Sequence, residues 1–166
     1  QDFKFRLKPV LLGGLHNLHK ITAPAFIPAK AKFMIRDCKM VCEKHKISFK
    51  FNSYFPIKTV DLMRGALIAE EDGMGNSYIN KIFEAMWVSG LNLNDQQVVD
   101  KILKNLEINP KTFILRLSNQ NIKDELRKRT LEAFERGVFG APTFVVNNKV
   151  FWGQDRIEYA LTESLK

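Results

Sequence analysis

Two short stretches near the end of the chain combine groups that could hold a small zwitterionic molecule: Ala141-Pro142 and Gln154-Asp155. A cis bond before Pro142 would leave the N–H and C=O of Ala141 outside any ladder of the protein's own strands. Those two groups could then pair with an extended peptide as a further strand would. Gln154 and Asp155 open a helix, where free N–H groups and a carboxylate suit a ligand that carries both a carboxylate and an amine. The structural alternative is a trans proline at the start of an ordinary hairpin.

A helix end, a hairpin and a new helix must position these groups. Gly137 follows a helical run at residues 124–136 and suits the left-handed residue that ends many helices. Residues 143–146 and 149–152 are β-branched and aromatic runs on either side of Asn147-Asn148, which predicts a hairpin with positive φ at the turn. Asp155, with Glu158 three residues later, is typical of a capping box at a helix start.

The order and spacing of these motifs resemble those of the 2-hydroxychromene-2-carboxylate isomerases. These enzymes belong with the kappa-class glutathione transferases in the DsbA-like branch of the thioredoxin superfamily. The resemblance rests on residues 137–146 and 151–156 and on further matches at residues 8–14, 28–30, 36–37, 55–56, 64 and 85–90. It covers nearly the whole chain from Arg6 onward. It implies an α/β fold, with a thioredoxin-like (DsbA-like) sheet and a large inserted all-helical domain.

The resemblance also implies glutathione as the cofactor. The backbone of Ala141 would lie antiparallel to the cysteinyl unit, and a cis Pro142 would expose that backbone. Gln154 and Asp155 would hold the γ-glutamyl end. Lys30 would pair with the glycine carboxylate; its structural alternative is a solvated lysine in a first helical turn.

The substrate side is less fully specified. Arg64, on a helix that would line the cleft, could bind a substrate carboxylate through two hydrogen bonds, and an ordinary surface arginine is the alternative. The resemblance implies a small conjugated or aromatic substrate. The glutathione thiolate would add to it, permit rotation about a former double bond, and leave again.

No catalytic residue is assigned within the chain. In the resembling proteins the group that activates the thiol, a serine or a C-x-x-C pair, lies on a strand and helix that would precede Gln1. Ile21 stands where the family has an asparagine that contacts glutathione, and Ala23 stands where it has a proline. A kappa-type transferase, a DsbA-like thiol-disulfide oxidoreductase and a non-catalytic thioredoxin-fold binding module therefore stay open as alternatives.

Hydrophobic periodicity predicts strands at the two ends and helices between them. Residues 1–12 begin by alternating apolar and charged side chains, which predicts a half-buried strand, and residues 13–28 are expected to form a loop. From residue 28 to residue 137 the pattern is helical, with starts predicted at Pro28, Thr59, Asn94 and Asn109. We therefore expect a split thioredoxin-like domain (residues 1–27 and 123–166) around an inserted helical domain (residues 28–122).

Composition excludes several classes of protein. A hydrophobic fraction of 45% with 13 Phe excludes a disordered chain, and no apolar run reaches membrane-spanning length. The net charge of +8 is spread along the chain, so a small anionic ligand explains it as well as nucleic acid does, and no nucleic-acid-binding motif is recognisable.

The cysteines and histidines do not form a recognisable chemical site. Cys38 and Cys42 are four residues apart, which is not C-x-x-C spacing, and His16 and His19 have no third ligand at fitting spacing, so no metal is predicted. Low cysteine usage favours a reducing compartment, and hence the cytoplasm, with the mitochondrial matrix or peroxisome as alternatives in a eukaryote. The resemblance further implies a homodimer.

Overall fold

Eight α-helices and one β-hairpin are present in the computed structural model, which describes residues 3–166. The chain divides into two compact units: one contains residues up to 21 together with residues 124–166, and the other contains residues 22–123. The helices are α1 (Leu12–His19), α2 (Pro28–Lys44), α3 (Val60–Glu71), α4 (Gly75–Trp87), α5 (Gln96–Asn105), α6 (Pro110–Leu117), α7 (Gln120–Glu135) and α8 (Ile157–Glu163). The strands are β1 (Thr143–Val146) and β2 (Lys149–Trp152).

In the first unit, α1 and the residue before it are fixed to α7. Leu15 is fully buried, and the Leu11 N–H donates to the Thr130 hydroxyl oxygen at 3.0 Å. A Cβ on Gly14 would lie only 3.2 Å from the Thr130 methyl group, so glycine at this position permits the close approach. The predicted loop over residues 13–28 was therefore wrong in its first part. The buried Leu15 and the contact with Thr130 stabilise a helix there.

The hairpin has the predicted strands and turn. β1 and β2 pair antiparallel, with Thr143 opposite Trp152 and Val146 opposite Lys149. Asn147 and Asn148 have φ values of 47° and 60°, as a two-residue turn with both residues left-handed requires. α8 packs against both strands.

The predicted strand at residues 1–12 was wrong for the residues that the structure describes, and its first two positions lie outside them. Residues 3–11 form no strand, and Phe3, Phe5 and Leu7 are 39%, 52% and 46% exposed. An alternating segment becomes a strand only beside a hydrogen-bonded neighbour. Among residues 3–166 the only sheet is the β1–β2 pair, which leaves this segment without such a neighbour.

The second unit is a helical bundle with α3 at its centre. α3 packs against α4 and α6, and α5 also contacts both of those helices. The Asn52 side chain is fully buried and joins the segment before α3 to the end of α4, donating to the carbonyl oxygens of Met86 and Leu91 at 2.9 Å each. α2 has no buried residue and packs on a short 3₁₀ turn at Pro24–Phe26.

Two of the three capping side chains that the sequence suggested for this unit act differently from the prediction. Asn109 caps α6 as predicted, accepting from the Lys111 N–H at 3.0 Å. Thr59 precedes α3, but its side chain makes no capping hydrogen bond. α5 is capped by Asp95, and Asn94 instead accepts from the Lys58 N–H at 3.0 Å.

Candidate functional site

Ala141 lies two residues before β1 with its backbone groups available. The Ala141–Pro142 peptide bond is cis, and both residues are exposed. Within residues 3–166 neither the N–H nor the C=O of Ala141 forms a hydrogen bond. The neighbouring groups are occupied: Gly140 C=O accepts from the Thr143 hydroxyl at 2.7 Å, and Pro142 C=O accepts from Gly153 N–H at 3.0 Å. Two adjacent backbone groups are thus free to pair with an external peptide.

The hydrogen bond between Pro142 and Gly153 also brings the second predicted stretch next to the first. Gly153 has φ of 105°, and a Cβ there would lie 2.5 Å from a carboxylate oxygen of Asp155, so glycine permits this turn. A 3₁₀ turn at Gln154–Arg156 then leads into α8. Gln154 and Asp155 are exposed, and the Asp155 carboxylate forms an exposed ion pair with Arg156 at 2.7 Å. We call Ala141, Pro142, Gln154 and Asp155 the hairpin-edge site.

Sequence reasoning missed an aromatic pair beside this site. The rings of Phe139 and Trp152 lie 5.0 Å apart at 56°, and the side chains are 37% and 52% exposed. The indole Nε1 lies 2.5 Å from the point that a Cβ on Gly140 would occupy. The signal available in the sequence was an aromatic residue next to each of Gly140 and Gly153, at the two ends of the hairpin.

The two predicted cationic site residues lie in the other unit and are described there. Lys30 is exposed in the first turn of α2. Arg64, on α3, donates from Nη1 to the Asp61 carboxylate at 3.1 Å. Its Nε is buried and has no hydrogen-bond partner among the described residues, and the side chain as a whole is 24% exposed.

The two cysteines and His19 lie in surroundings that fit a structural role and not a chemical one. Cys38 and Cys42 are free thiols on α2, and burial, followed by the negative charge of Asp37, raises the pKa of the Cys38 thiol. A raised pKa disfavours the reactive thiolate. His19 donates to the Val138 carbonyl oxygen at 3.0 Å and packs on Phe134. Residues 3–166 contain no group of three or more potential ligands that could hold a metal ion.

A hairpin entered through a cis proline, combined with a helical unit encoded between the two parts of the first unit, places the protein in the thioredoxin-fold class. The chain belongs to the DSBA-like thioredoxin domain family, whose model matches residues 1–163. The fold agrees with a solved 2-hydroxychromene-2-carboxylate isomerase, with a TM-score of 0.82 over 92% of this chain and 75% of that chain at 19% identity. The predicted fold class is therefore confirmed.

The relatives by sequence include enzymes of two kinds. A 2-hydroxychromene-2-carboxylate isomerase from Sphingobium xenophagum is 25% identical over 78% of this chain and 66% of its own length. Glutathione S-transferase kappa 1 from Rattus norvegicus is 22% identical over 95% of this chain and 76% of its own length. The chain thus spans just under two thirds of the length of the Sphingobium relative. In residues 3–166 no helix is both long and apolar enough to cross a membrane.

Proposed function

We propose that the protein is a glutathione-dependent isomerase similar to the 2-hydroxychromene-2-carboxylate isomerases, acting on a conjugated aromatic carboxylate. The observation that carries this proposal is the exposed Ala141 backbone, which has no hydrogen bond within the described residues and lies beside Gly153. The sequence similarity to the Sphingobium isomerase and to the rat transferase supports the same class of chemistry.

The hairpin-edge site would hold the peptide part of glutathione. The N–H and C=O of Ala141 would pair with the cysteinyl unit as one strand pairs with another, which fixes the direction of the tripeptide. Asp155 would accept from the α-ammonium group of the γ-glutamyl end, and this requires only the exchange of its exposed partner Arg156. Lys30 would provide the positive charge for the glycine carboxylate.

When bound, glutathione supplies a thiolate that adds reversibly to the conjugated substrate, so that the former double bond can rotate before the thiolate leaves. The residues of this chain would bind and orient the tripeptide. Arg64 would hold the substrate carboxylate through the terminal nitrogens of its guanidinium, in exchange for its exposed partner Asp61.

Calorimetric titration of the complete protein with glutathione tests the first part of the proposal. We expect Asp155→Ala and Lys30→Met each to weaken binding by about fivefold or more, the loss expected for one ion pair of about 1 kcal/mol. Glu158→Gln and Lys32→Met are matched controls, since both residues are exposed and lie three and two residues away on the same segments. Undetectable binding by the unchanged protein, or full affinity in Asp155→Ala, would contradict the proposal.

A kappa-type transferase is the second candidate, since the similarity to the rat enzyme covers 95% of this chain. Turnover separates the candidates. Isomerisation of a chromene carboxylate consumes no glutathione, whereas transfer to an electrophile consumes one molecule per product. An oxidoreductase would instead reduce a disulfide in a glutathione-dependent assay. Binding of glutathione without turnover of any of these substrates would indicate a non-catalytic binding module.

The same resemblance leads us to expect a cytoplasmic homodimer. Sedimentation equilibrium of the complete protein tests the assembly, with a monomer mass at all concentrations as the contradicting result. Fractionation of cells that produce the protein tests the compartment.

A further inference from the structure

We propose that Trp152 and Phe139 form the binding surface for the planar, conjugated ring of the substrate. This inference rests on the proposed function, because it assigns the substrate side of the same hairpin-edge site. It gives a role to two residues that lie within the motifs of the hairpin but had no role assigned from the sequence.

The first reason is the exposure of the two rings together with their fixed position. Trp152 is 52% exposed and Phe139 is 37% exposed, although each contacts the other at a centroid distance of 5.0 Å. The two rings are tilted by 56°, and their separation lies within the range of favourable aromatic pairs. Such contact limits the motion of both side chains while leaving aromatic surface available to a ligand.

The second reason is the absence of a side chain at Gly140. The indole Nε1 lies 2.5 Å from the point where a Cβ of residue 140 would be, with two further indole atoms at 3.2 and 3.3 Å. A contact this close excludes every residue but glycine unless the indole moves. The indole of Trp152 therefore packs directly against the backbone at Gly140, and the two form one continuous surface next to Ala141.

The third reason is the position of the pair relative to Ala141. Gly140 precedes Ala141, and Trp152 precedes Gly153, whose N–H is bonded to Pro142. A peptide paired with Ala141 would thus lie beside the two rings. A planar aromatic acceptor stacked on the indole would be close to the cysteinyl unit of that peptide, where a thiolate would have to reach it.

The test uses the complete protein labelled with 5-fluorotryptophan and titrated with trans-cinnamate, a planar conjugated aromatic carboxylate. Cyclohexanecarboxylate is the probe that has the charge without the planar ring. We expect a saturable shift of the Trp152 fluorine resonance with trans-cinnamate, little shift with cyclohexanecarboxylate, and no shift of the Trp87 resonance. The resonances are assigned by their loss in Trp152→Phe and Trp87→Phe.

Affinity in variants completes the test. We expect Trp152→Leu to weaken trans-cinnamate binding about tenfold, as the loss of one aromatic stack implies. Gly140→Ala should weaken it similarly, because it displaces the indole and leaves every aromatic residue in place. Phe83→Leu, an exposed aromatic of the helical unit, is the control and should have no effect.

The result that overturns the inference is unchanged trans-cinnamate affinity in both Trp152→Leu and Gly140→Ala. Glutathione affinity, measured on the same samples, keeps the two proposals distinct. Loss of trans-cinnamate binding with glutathione affinity within about twofold of the unchanged protein supports the ring surface. Absence of glutathione binding in the unchanged protein overturns the proposed function, whatever trans-cinnamate does.

Discussion

Glu163 is the residue that connects α8 to the hairpin. It is 8% exposed, and its carboxylate accepts from Lys149 Nζ at 2.9 Å and from Lys166 Nζ at 3.0 Å. Its backbone oxygen accepts from the Asn147 side chain at 3.0 Å. The hydrogen bond from Lys149, and then that from Lys166, lowers the pKa of the Glu163 carboxyl below its usual value. Glu163 thus holds the hairpin at two points: its backbone oxygen bonds the turn residue Asn147, and its carboxylate bonds Lys149 at the start of β2.

The lowered pKa predicts how stability depends on pH. Because the carboxyl binds its proton less tightly in the folded state, its contribution is fully present above the unfolded pKa of about 4.5 and is lost as pH falls through the folded value. We expect Glu163→Gln to reduce the free energy of unfolding at about pH 7, with a smaller difference from the unchanged protein at about pH 3. Urea denaturation at the two pH values measures both quantities.

Glu158→Gln is the control for that measurement. Glu158 is exposed on the same helix and has no ion pair among the described residues, so its replacement should change stability little at either pH. A difference between Glu163→Gln and the unchanged protein that grows as the pH falls would contradict the assignment.

At the scale of elements, the crossing of α3 with α4 and α6 depends on Gly65. A Cβ on Gly65 would meet the hydroxyl oxygen of Tyr78, with the Tyr78 Cζ at 2.9 Å and Phe113 Cε1 at 3.2 Å. Tyr78 is buried and donates to the Leu62 carbonyl oxygen at 3.2 Å, so its ring has little freedom to withdraw. Glycine at residue 65 therefore sets the distance between α3 and its neighbours.

We expect Gly65→Ala to lower the free energy of unfolding by about 1–3 kcal/mol through overpacking, although alanine is the better helix former by about 1 kcal/mol. Gly13→Ala is the matched control, because a Cβ there would meet no atom within 4 Å, and it should be neutral or stabilising. Thermal or urea unfolding measures both. In a Tyr78→Phe background the penalty of Gly65→Ala should shrink, since the hydroxyl is gone; an equal penalty would contradict this account.

Sequence patterns predicted those elements whose signals are local. The hairpin follows from Asn147-Asn148 between two β-branched runs, and the ends of α3 and α7 follow from Gly73 and Gly137, which have φ of 74° and 78°. Elements that depend on distant partners were missed or misassigned. Phe3, Phe5 and Leu7 alternate with charged residues as in a strand, but no neighbouring strand pairs with them. Residues 13–19 were predicted to be a loop, whereas the burial of Leu15 stabilises a helix there.

The candidate site also contains some features with a local sequence signal and others that depend on contacts between distant residues. Ala141 and Pro142 could be proposed from sequence because the ends of a predicted hairpin lie side by side, which also brought Asp155 near them. The pairing of Trp152 with Phe139 could not, because it depends on the register of β1 against β2 and on the room left by Gly140. A local pattern, together with the family resemblance, suggested which backbone groups to consider, whereas the side chains around them are set by packing.

For the whole molecule, the net charge of +8 bears on how any anionic ligand is attracted. Both proposed ligands, glutathione and a conjugated carboxylate, are anionic at neutral pH, and a basic protein raises their local concentration. The charge is spread over exposed lysines and arginines of both units. We therefore expect a weak general attraction, with affinity provided by individual contacts such as the one proposed for Lys30.

Salt dependence distinguishes this arrangement from nucleic-acid binding. The Debye length falls from about 10 Å at 0.1 M salt to about 3 Å at 1 M, so an exposed ion pair loses much of its strength over that range. We expect the dissociation constant for glutathione to rise by no more than about 25-fold, the combined value of the two exposed pairs proposed at Asp155 and Lys30. Calorimetric titrations at the two salt concentrations measure it.

Lys30→Met should remove about half of the salt dependence, because the proposed pair at Asp155 stays, and Lys32→Met, at an exposed position on the same turn of α2, should leave all of it in place. A protein that instead bound duplex DNA through several phosphates would lose roughly a thousandfold or more in affinity over a far smaller change in salt. Equal salt dependence in both lysine variants would assign the attraction to the overall charge and would remove Lys30 from the proposed site. The comparison thus decides whether a single lysine or the whole basic surface recognises the ligand's carboxylate.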